Sequence, residues 1–245
     1  MSMNTTSQKI HRQSRVGSAS RAPVRESYHH GDLPAALKRA AVRLIAMHGL
    51  EGFSLREAAL AVGVSPSAAY RHFEDKSALL RDIAQDAFAD LGLRFQAATD
   101  SVRGKGARAA RARFIAQGHT YVGFALEQPE RFAVMFGPYG AGASFGTMLG
   151  DPTEARTVDL CDKPPNSIGP YAALSRALDE LMEVGLIDPA RREGAELLVW
   201  SAIHGLSTLL VSRTLKSSAI SIETMVHRIG EDCLRALMNP MAKGR

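Results

Sequence analysis

Ser67, Ala68, Tyr70 and Arg71 stand within five residues of one another, and together they have the means to read a nucleobase edge. An arginine fork can donate to O6 and N7 of guanine, a methyl group can meet that of thymine, and small side chains let a backbone approach a groove floor. Tyr70 and His72 can donate to phosphate oxygens. Lys76 adds a cation near the start of the next helix, where free amides already favour anions. At roughly 100° per residue, Ala69 and Phe73 lie one turn apart and form an apolar stripe, while Ser67 and Arg71 point almost directly away from it. Ala68 and Tyr70 flank the outer face. A helix that buries Ala69 and Phe73 must therefore present the other four outward. The same face suits a solvated surface helix of an ordinary bundle, so the angles alone admit both readings.

Three elements must hold that face in place. The first is a helix capped by Asp32, with Pro34 in its first turn and Gly49 at its end; Leu33, Leu37, Ala40, Ala41, Leu44 and Ile45 recur on one side of it. In the second, Ser54-Leu55-Arg56-Glu57 matches a capping box, and Ala58, Ala59 and Val62 continue a short helix up to Gly63. The third opens at Ser65, an N-cap, followed by Pro66 at the first helical position. Its pattern breaks near Phe73-Glu74-Asp75, and a fourth helix carries Leu79, Leu80, Ile83, Ala87 and Leu91 onward. Helix, capped short helix, glycine turn and Ser-Pro-initiated helix make the grammar of a helix-turn-helix.

From His30-Gly31-Asp32-Leu33 through Gly49, and then along GFSLREAALAVGVSPSAAYRHFEDKSALLRDIA from Gly52 to Ala84, the chain closely resembles the DNA-binding domain of TetR-family transcriptional regulators. The resemblance spans about 55 residues, with Tyr70, Arg71, His72, Phe73 and Lys76 as its most specific core. It implies a symmetric dimer on double-stranded DNA, with two recognition helices in successive major grooves of a near-palindromic operator. It implies that Tyr70, His72 and Lys76 hold the backbone, and that Ser67, Ala68 and Arg71 face bases from a helix opened by Ser65 and Pro66. Arg56 falls where some members make a base contact. Ala68 stands where many members have Thr, so their base preference does not transfer. Tyr121 to Ala125, Pro129 to Phe132, Met135 to Gly137 and the Trp200-Ser-Ala-Ile-His-Gly205 segment resemble the C-terminal domain of a subset of the family, which by analogy binds an effector and dimerises.

The charge distribution agrees with a nucleic-acid-binding head. The chain of 245 residues carries a net charge of +5; residues 1–83 hold 12 Lys and Arg against 7 Asp and Glu, and the rest is neutral. The excess therefore lies in the first third. Residues 1–27, polar, basic and without apolar periodicity, read as a disordered arm, residues 28–76 as the helix-turn-helix domain, and residues 77–245 as a helical body. Two cysteines exclude a disulfide framework. The first residues have no apolar signal segment, and the most apolar stretch, Leu197 to Ser212, falls short of the roughly 20 residues a bilayer requires. A cytoplasmic, all-α protein without a membrane partner is expected.

In the body, helices are expected over about 168–184, 189–215 (from Asp188-Pro189) and 221–238, with a glycine-rich loop over 137–167 that is either a lid or plain surface. The 189–215 helix is apolar nearly all round, so it needs a second covering surface. Leu198, Ala202, Leu206 and Leu209, with Met225, Ile229, Cys233 and Leu237 from the last helix, are expected at a homodimer interface; a buried central helix in a monomer is the alternative. A pocket for an unidentified small-molecule effector is assigned to Phe114, His119, Tyr121, Phe124, Met135, Phe136, Trp200 and His204, although such a stripe fits plain core as well. The basic cluster at Arg103, Lys105, Arg108, Arg111 and Arg113 reads as a solvated helix start. No nucleophile, base and orienting group stand together, His29-His30 lacks spaced partner ligands for a metal, and no cofactor motif is present. The expected function is a sequence-specific, ligand-responsive regulator, most simply a repressor. A non-specific architectural DNA binder, or a helical enzyme or small-molecule carrier, would share much of the same sequence.

Overall fold

Side-chain oxygens set the starts of the first four helices. Asp32 accepts from the amide of Ala35, Ser54 from Glu57, Ser65 from Ala68 and Asp75 from Ala78, so each helix begins with one orphan amide satisfied. In the computed structural model, which describes residues 32–138, 169–215 and 220–238, these caps open α1 (Leu33–His48), α2 (Leu55–Ala61), α3 (Pro66–Tyr70) and α4 (Lys76–Ser101). The capping box is complete: the Glu57 carboxylate accepts from both the amide and the hydroxyl of Ser54, at 2.7 and 2.8 Å. Gly63 turns the chain between α2 and α3 at φ +77, a conformation that strains residues bearing a Cβ.

The body follows as α5 (Ala107–Glu127), α6 (Pro129–Phe136), α7 (Pro170–Glu183), α8 (Ala195–Val211) and α9 (Ile222–Leu237). No strand occurs among the described residues, in keeping with the all-α expectation. The expected helix start at Asp188-Pro189 is corrected. Those residues open only a 3-10 turn over Pro189–Arg191, and α8 begins after Gly194, which takes φ +71. The arm over 1–27 and most of the expected 137–167 loop lie outside the described residues.

Two apolar cores result. Leu37, Ala40, Ala41 and Ile45 of α1, Leu55, Ala58 and Ala59 of α2, and Ala69 and Phe73 close the head around Leu79, Leu80, Ile83 and Ala84 of α4. Each fully buried Leu or Ile there contributes about 1.5–3 kcal/mol. The body core gathers Ala87, Phe88, Leu91 and Phe95, further along α4, with side chains from α5 to α9. A helix of 26 residues, about 39 Å long, therefore serves both cores. Lys38 of α1 fixes its head half by reaching Asp82 and Asp86 at 3.0 and 2.5 Å. A second bridge was not expected from the sequence. Val134 of α6 is fully buried in the head core, while its neighbours Phe132 and Met135 belong to the body.

Candidate nucleic-acid interface

Ala69 is fully buried and Phe73 nearly so, which fixes the rotation of the α3 segment. Ser67, Tyr70 and Arg71 are exposed and Ala68 is half-exposed, so the face expected from the helical angles is the one that solvent meets. Arg71 ends α3 as its C-cap with helical dihedrals, and His72 follows it, exposed. Ser65 holds the start of the helix: its Oγ accepts from the Ala68 amide at 3.3 Å and lies 2.9 Å from Ser67 Oγ. Pro66 is half-buried at the first position, and Arg56 is exposed on α2. Lys76, which the resemblance implies holds the DNA backbone, is half-exposed at the start of α4. Its Nζ lies 4.7 Å from the Phe53 ring centroid, donates to the Glu51 carbonyl at 3.3 Å and sits 3.7 Å from the Glu51 carboxylate. In this state it braces the turn between α1 and α2.

The body contains a cavity of about 40 Å³ between α4, α5, α7, α8 and α9. Of the expected pocket residues, Phe114, Tyr121 and Trp200 line it. His204 and Phe136 adjoin it through Tyr121: the Tyr121 hydroxyl lies 2.9 Å from His204 Nδ1, and the Phe136 ring stands 6.5 Å from that of Tyr121. The remaining three lie off the wall. Phe124 is fully buried beneath the guanidinium groups of Arg94 and Arg131, Met135 is fully buried in the core, and His119 is half-buried on α5. Burial pushes the Tyr121 phenol well above its ordinary range and holds His204 below its own, so both are neutral near neutral pH.

Gln117 was missed. It is 5% exposed on the cavity wall, among Phe114 and Tyr121 of the same helix. The signal was present: Gln117 follows Phe114 by three residues and precedes Tyr121 by four, which puts all three on one face.

The residues expected at a dimer interface divide into two groups. Leu206, Cys233 and Leu237 are closed inside the protomer, and Ile229 and Cys233 line the cavity. The cause is that the apolar face of α9 covers α5, with Gly118 of α5 set against Val226 and Gly230 of α9 against Ile115. Leu198 and Leu209 remain 43% and 44% exposed, Ala202 and Met225 half-exposed, and Leu197 of the same apolar helix 55% exposed. With Ser201, Gly205 and Thr208 they leave one side of α8 uncharged and open to solvent. In the basic cluster, Arg111 pairs with Glu231 and Arg113 with Glu180, so these two are tied to the body. No described helix is long and apolar enough to cross a membrane.

Comparison with known proteins places this arrangement. Residues 37–83 match the family model of bacterial regulatory proteins of the tetR family, and residues 114–232 match that of the tetracyclin repressor-like C-terminal domain. Among solved structures, the chain is similar to a protein of unknown function from Rhodococcus sp. RHA1, with 28% identity and a TM-score of 0.65 over 87% of this chain and 100% of that one. It is also similar in fold to a tetR-family regulatory protein from Rhodococcus RHA1 (19% identity, TM-score 0.56, 84% and 96% covered). A TetR-family transcription regulator from Marinobacter aquaeolei VT8 shares the fold too (22% identity, TM-score 0.54, 82% and 94% covered). No curated protein sequence matches the chain significantly. With an outward-facing helix-turn-helix at one end and a matching helical domain behind it, the chain belongs to the TetR family of bacterial transcriptional regulators.

Proposed function

We propose that the chain acts as a homodimeric, ligand-responsive repressor that binds a near-palindromic operator and leaves it when a small molecule occupies the body. The observation that carries this reading is the exposed set Ser67, Ala68, Tyr70 and Arg71, anchored by buried Ala69 and Phe73. Arg71 and Ala68 are the base-reading residues, with Ser67 beside them and Arg56 at the flank. Tyr70 and His72 hold phosphates, and Lys76 joins them when it releases Glu51. The uncharged side of α8 around Leu197, Leu198 and Leu209 supports pairing with a second copy, which sets two heads roughly 34–36 Å apart, one helical turn of DNA.

Coupling follows from α4, whose two halves belong to the two cores. An effector that favours a different packing of Phe88, Leu91 and Phe95 re-aims the heads. By linkage, operator DNA must weaken effector binding by the same factor as effector weakens operator binding.

Selection from random duplexes tests the reading. An inverted repeat is the expected result. Steeply salt-dependent binding without sequence preference would instead mark an architectural binder, and no duplex binding at low ionic strength would remove the reading altogether.

A further inference from the structure

The wall of the body cavity carries no charged residue: Phe95, Phe114, Tyr121, Leu174, Val199 and Trp200 are typical of it. Its two ionisable groups, Tyr121 and Cys233, are both kept protonated by burial, Cys233 also by nearby Asp232. An anion or a cation entering here would lose its hydration without meeting an opposite charge, which is costly in an apolar interior. Arg111 and Arg113, on the helix that contributes Phe114, Gln117 and Tyr121, are paired with Glu231 and Glu180 and are absent from the lining.

Gln117 supplies the exception to this apolar wall. Its Nε2 donates to the Ala173 carbonyl at 3.4 Å and lies 3.3 Å from Thr99 Oγ1, both outside the lining. The Ala173 carbonyl can only accept, so it fixes the orientation of the amide. Oε1 is then left buried with no hydrogen-bond partner. A buried carbonyl oxygen in that condition is expensive to maintain and is satisfied by any donor brought to it.

We infer that the effector of this regulator is an uncharged, largely apolar molecule whose one essential polar feature is a hydroxyl or N–H that donates to Gln117 Oε1. The inference rests on the reading of the body as an effector-binding domain. At about 40 Å³ the cavity holds only a few waters. An occupant therefore widens it, and the place to yield is the contact of α5 with α9, where the Ile115 side chain closes against bare backbone at Gly230.

The test uses phenol, 2-naphthol and 4-phenylphenol, each beside its methyl ether and the carboxylic acid of the same ring system. Binding to the full chain without DNA is followed through Trp200, which lines the cavity and is the chain's single tryptophan. At least one phenol is expected to bind about tenfold or more tightly than both its ether and its acid. Gln117→Leu and Gln117→Met, two apolar replacements of similar length, are expected to abolish the preference for phenol over ether. Their thermal unfolding midpoints verify that the proteins read out are folded. Tighter binding of the acids, a preference that survives both substitutions, or no binding by any compound would each overturn the inference. Duplex binding by the same preparations is measured separately. Its absence beside an intact, Gln117-dependent phenol preference would remove the regulator reading and leave the cavity assignment standing.

Discussion

Tyr121 and His204 meet across the interface of α5 and α8, with the phenol oxygen 2.9 Å from Nδ1 and the rings edge to face at 6.3 Å. With both groups neutral, the imidazole tautomer decides which of the two donates: the phenol does so when the ring proton is on Nε2. Phe132 stacks on the imidazole at 5.3 Å, and Phe136 makes a T-shaped contact with it at 4.5 Å. The pair therefore joins the cavity wall to α6, the helix that also reaches into the head.

A pH dependence follows from His204. Burial holds its pKa below the ordinary 6.5, so as the pH falls from about 7 to about 5.5 the unfolded chain takes up a proton there that the folded chain does not. Stability falls over that range. His204→Gln, which still offers the Tyr121 hydroxyl an acceptor, is expected to flatten the decline in the unfolding midpoint. Identical declines in the two proteins would exclude His204 as its source.

The half-buried Arg192 is a second point of leverage. Its guanidinium lies 2.8 Å from Asp179 and 2.9 Å from Glu196, and it also donates to Ser175. Burial raises the Glu196 pKa, but hydrogen bonding and charge from Arg192 outweigh it, and the carboxylate stays below its ordinary range. Arg192→Ala leaves that carboxylate buried without its countercharge, with only hydrogen bonds from Ser175 and the backbone, at a cost of about 3 kcal/mol in urea unfolding. The double variant Arg192→Leu with Glu196→Leu is expected to recover most of that loss.

On the reading face, Arg71→Ala separates recognition from folding. The side chain is exposed, so unfolding is expected to move by no more than about 0.5 kcal/mol. Operator affinity is expected to drop by about 1–3 kcal/mol, with base choice relaxed at one position of each half-site. An unchanged selection profile would take Arg71 off the list of base readers.

For self-association, the decisive substitutions are on α8. Leu198→Lys with Leu209→Lys places two like charges on the face proposed to pair, at positions already 43% and 44% exposed, so the fold is expected to survive. Sedimentation is expected to show a dimer for the parent chain and a monomer for the variant. A variant that remains dimeric would move the interface elsewhere.

What could be read from the sequence was local. Ser54 with Glu57, Ser65 with Pro66, and the opposition of Ala69 and Phe73 to Ser67 and Arg71 each involve residues within a turn or two, where helical geometry determines the relationship. The body was less legible because its relationships are long-range. The spacing of Gln117 puts it on the face of Phe114 and Tyr121, but that its nitrogen is claimed by Ala173, 56 residues away, is not in the local pattern. Cys233 and Ile229 have the spacing of an exposed seam, yet Gly118 and Gly230 bring α5 close enough to cover them. Nothing in the sequence around Lys76 announces that it rests against Phe53.

Val134 has a practical implication for engineering. It is buried in the head core where α6 packs on α1 and α4, and Gly137 just beyond α6 approaches Leu50 so closely that an added Cβ would lie 2.9 Å from it. Grafting this head onto another body by splicing within α4 would transplant that core without its plug. Functional chimeras therefore have to carry residues 129–137 along with the first 84, or be screened for a donor helix that offers a branched aliphatic side chain at the same depth.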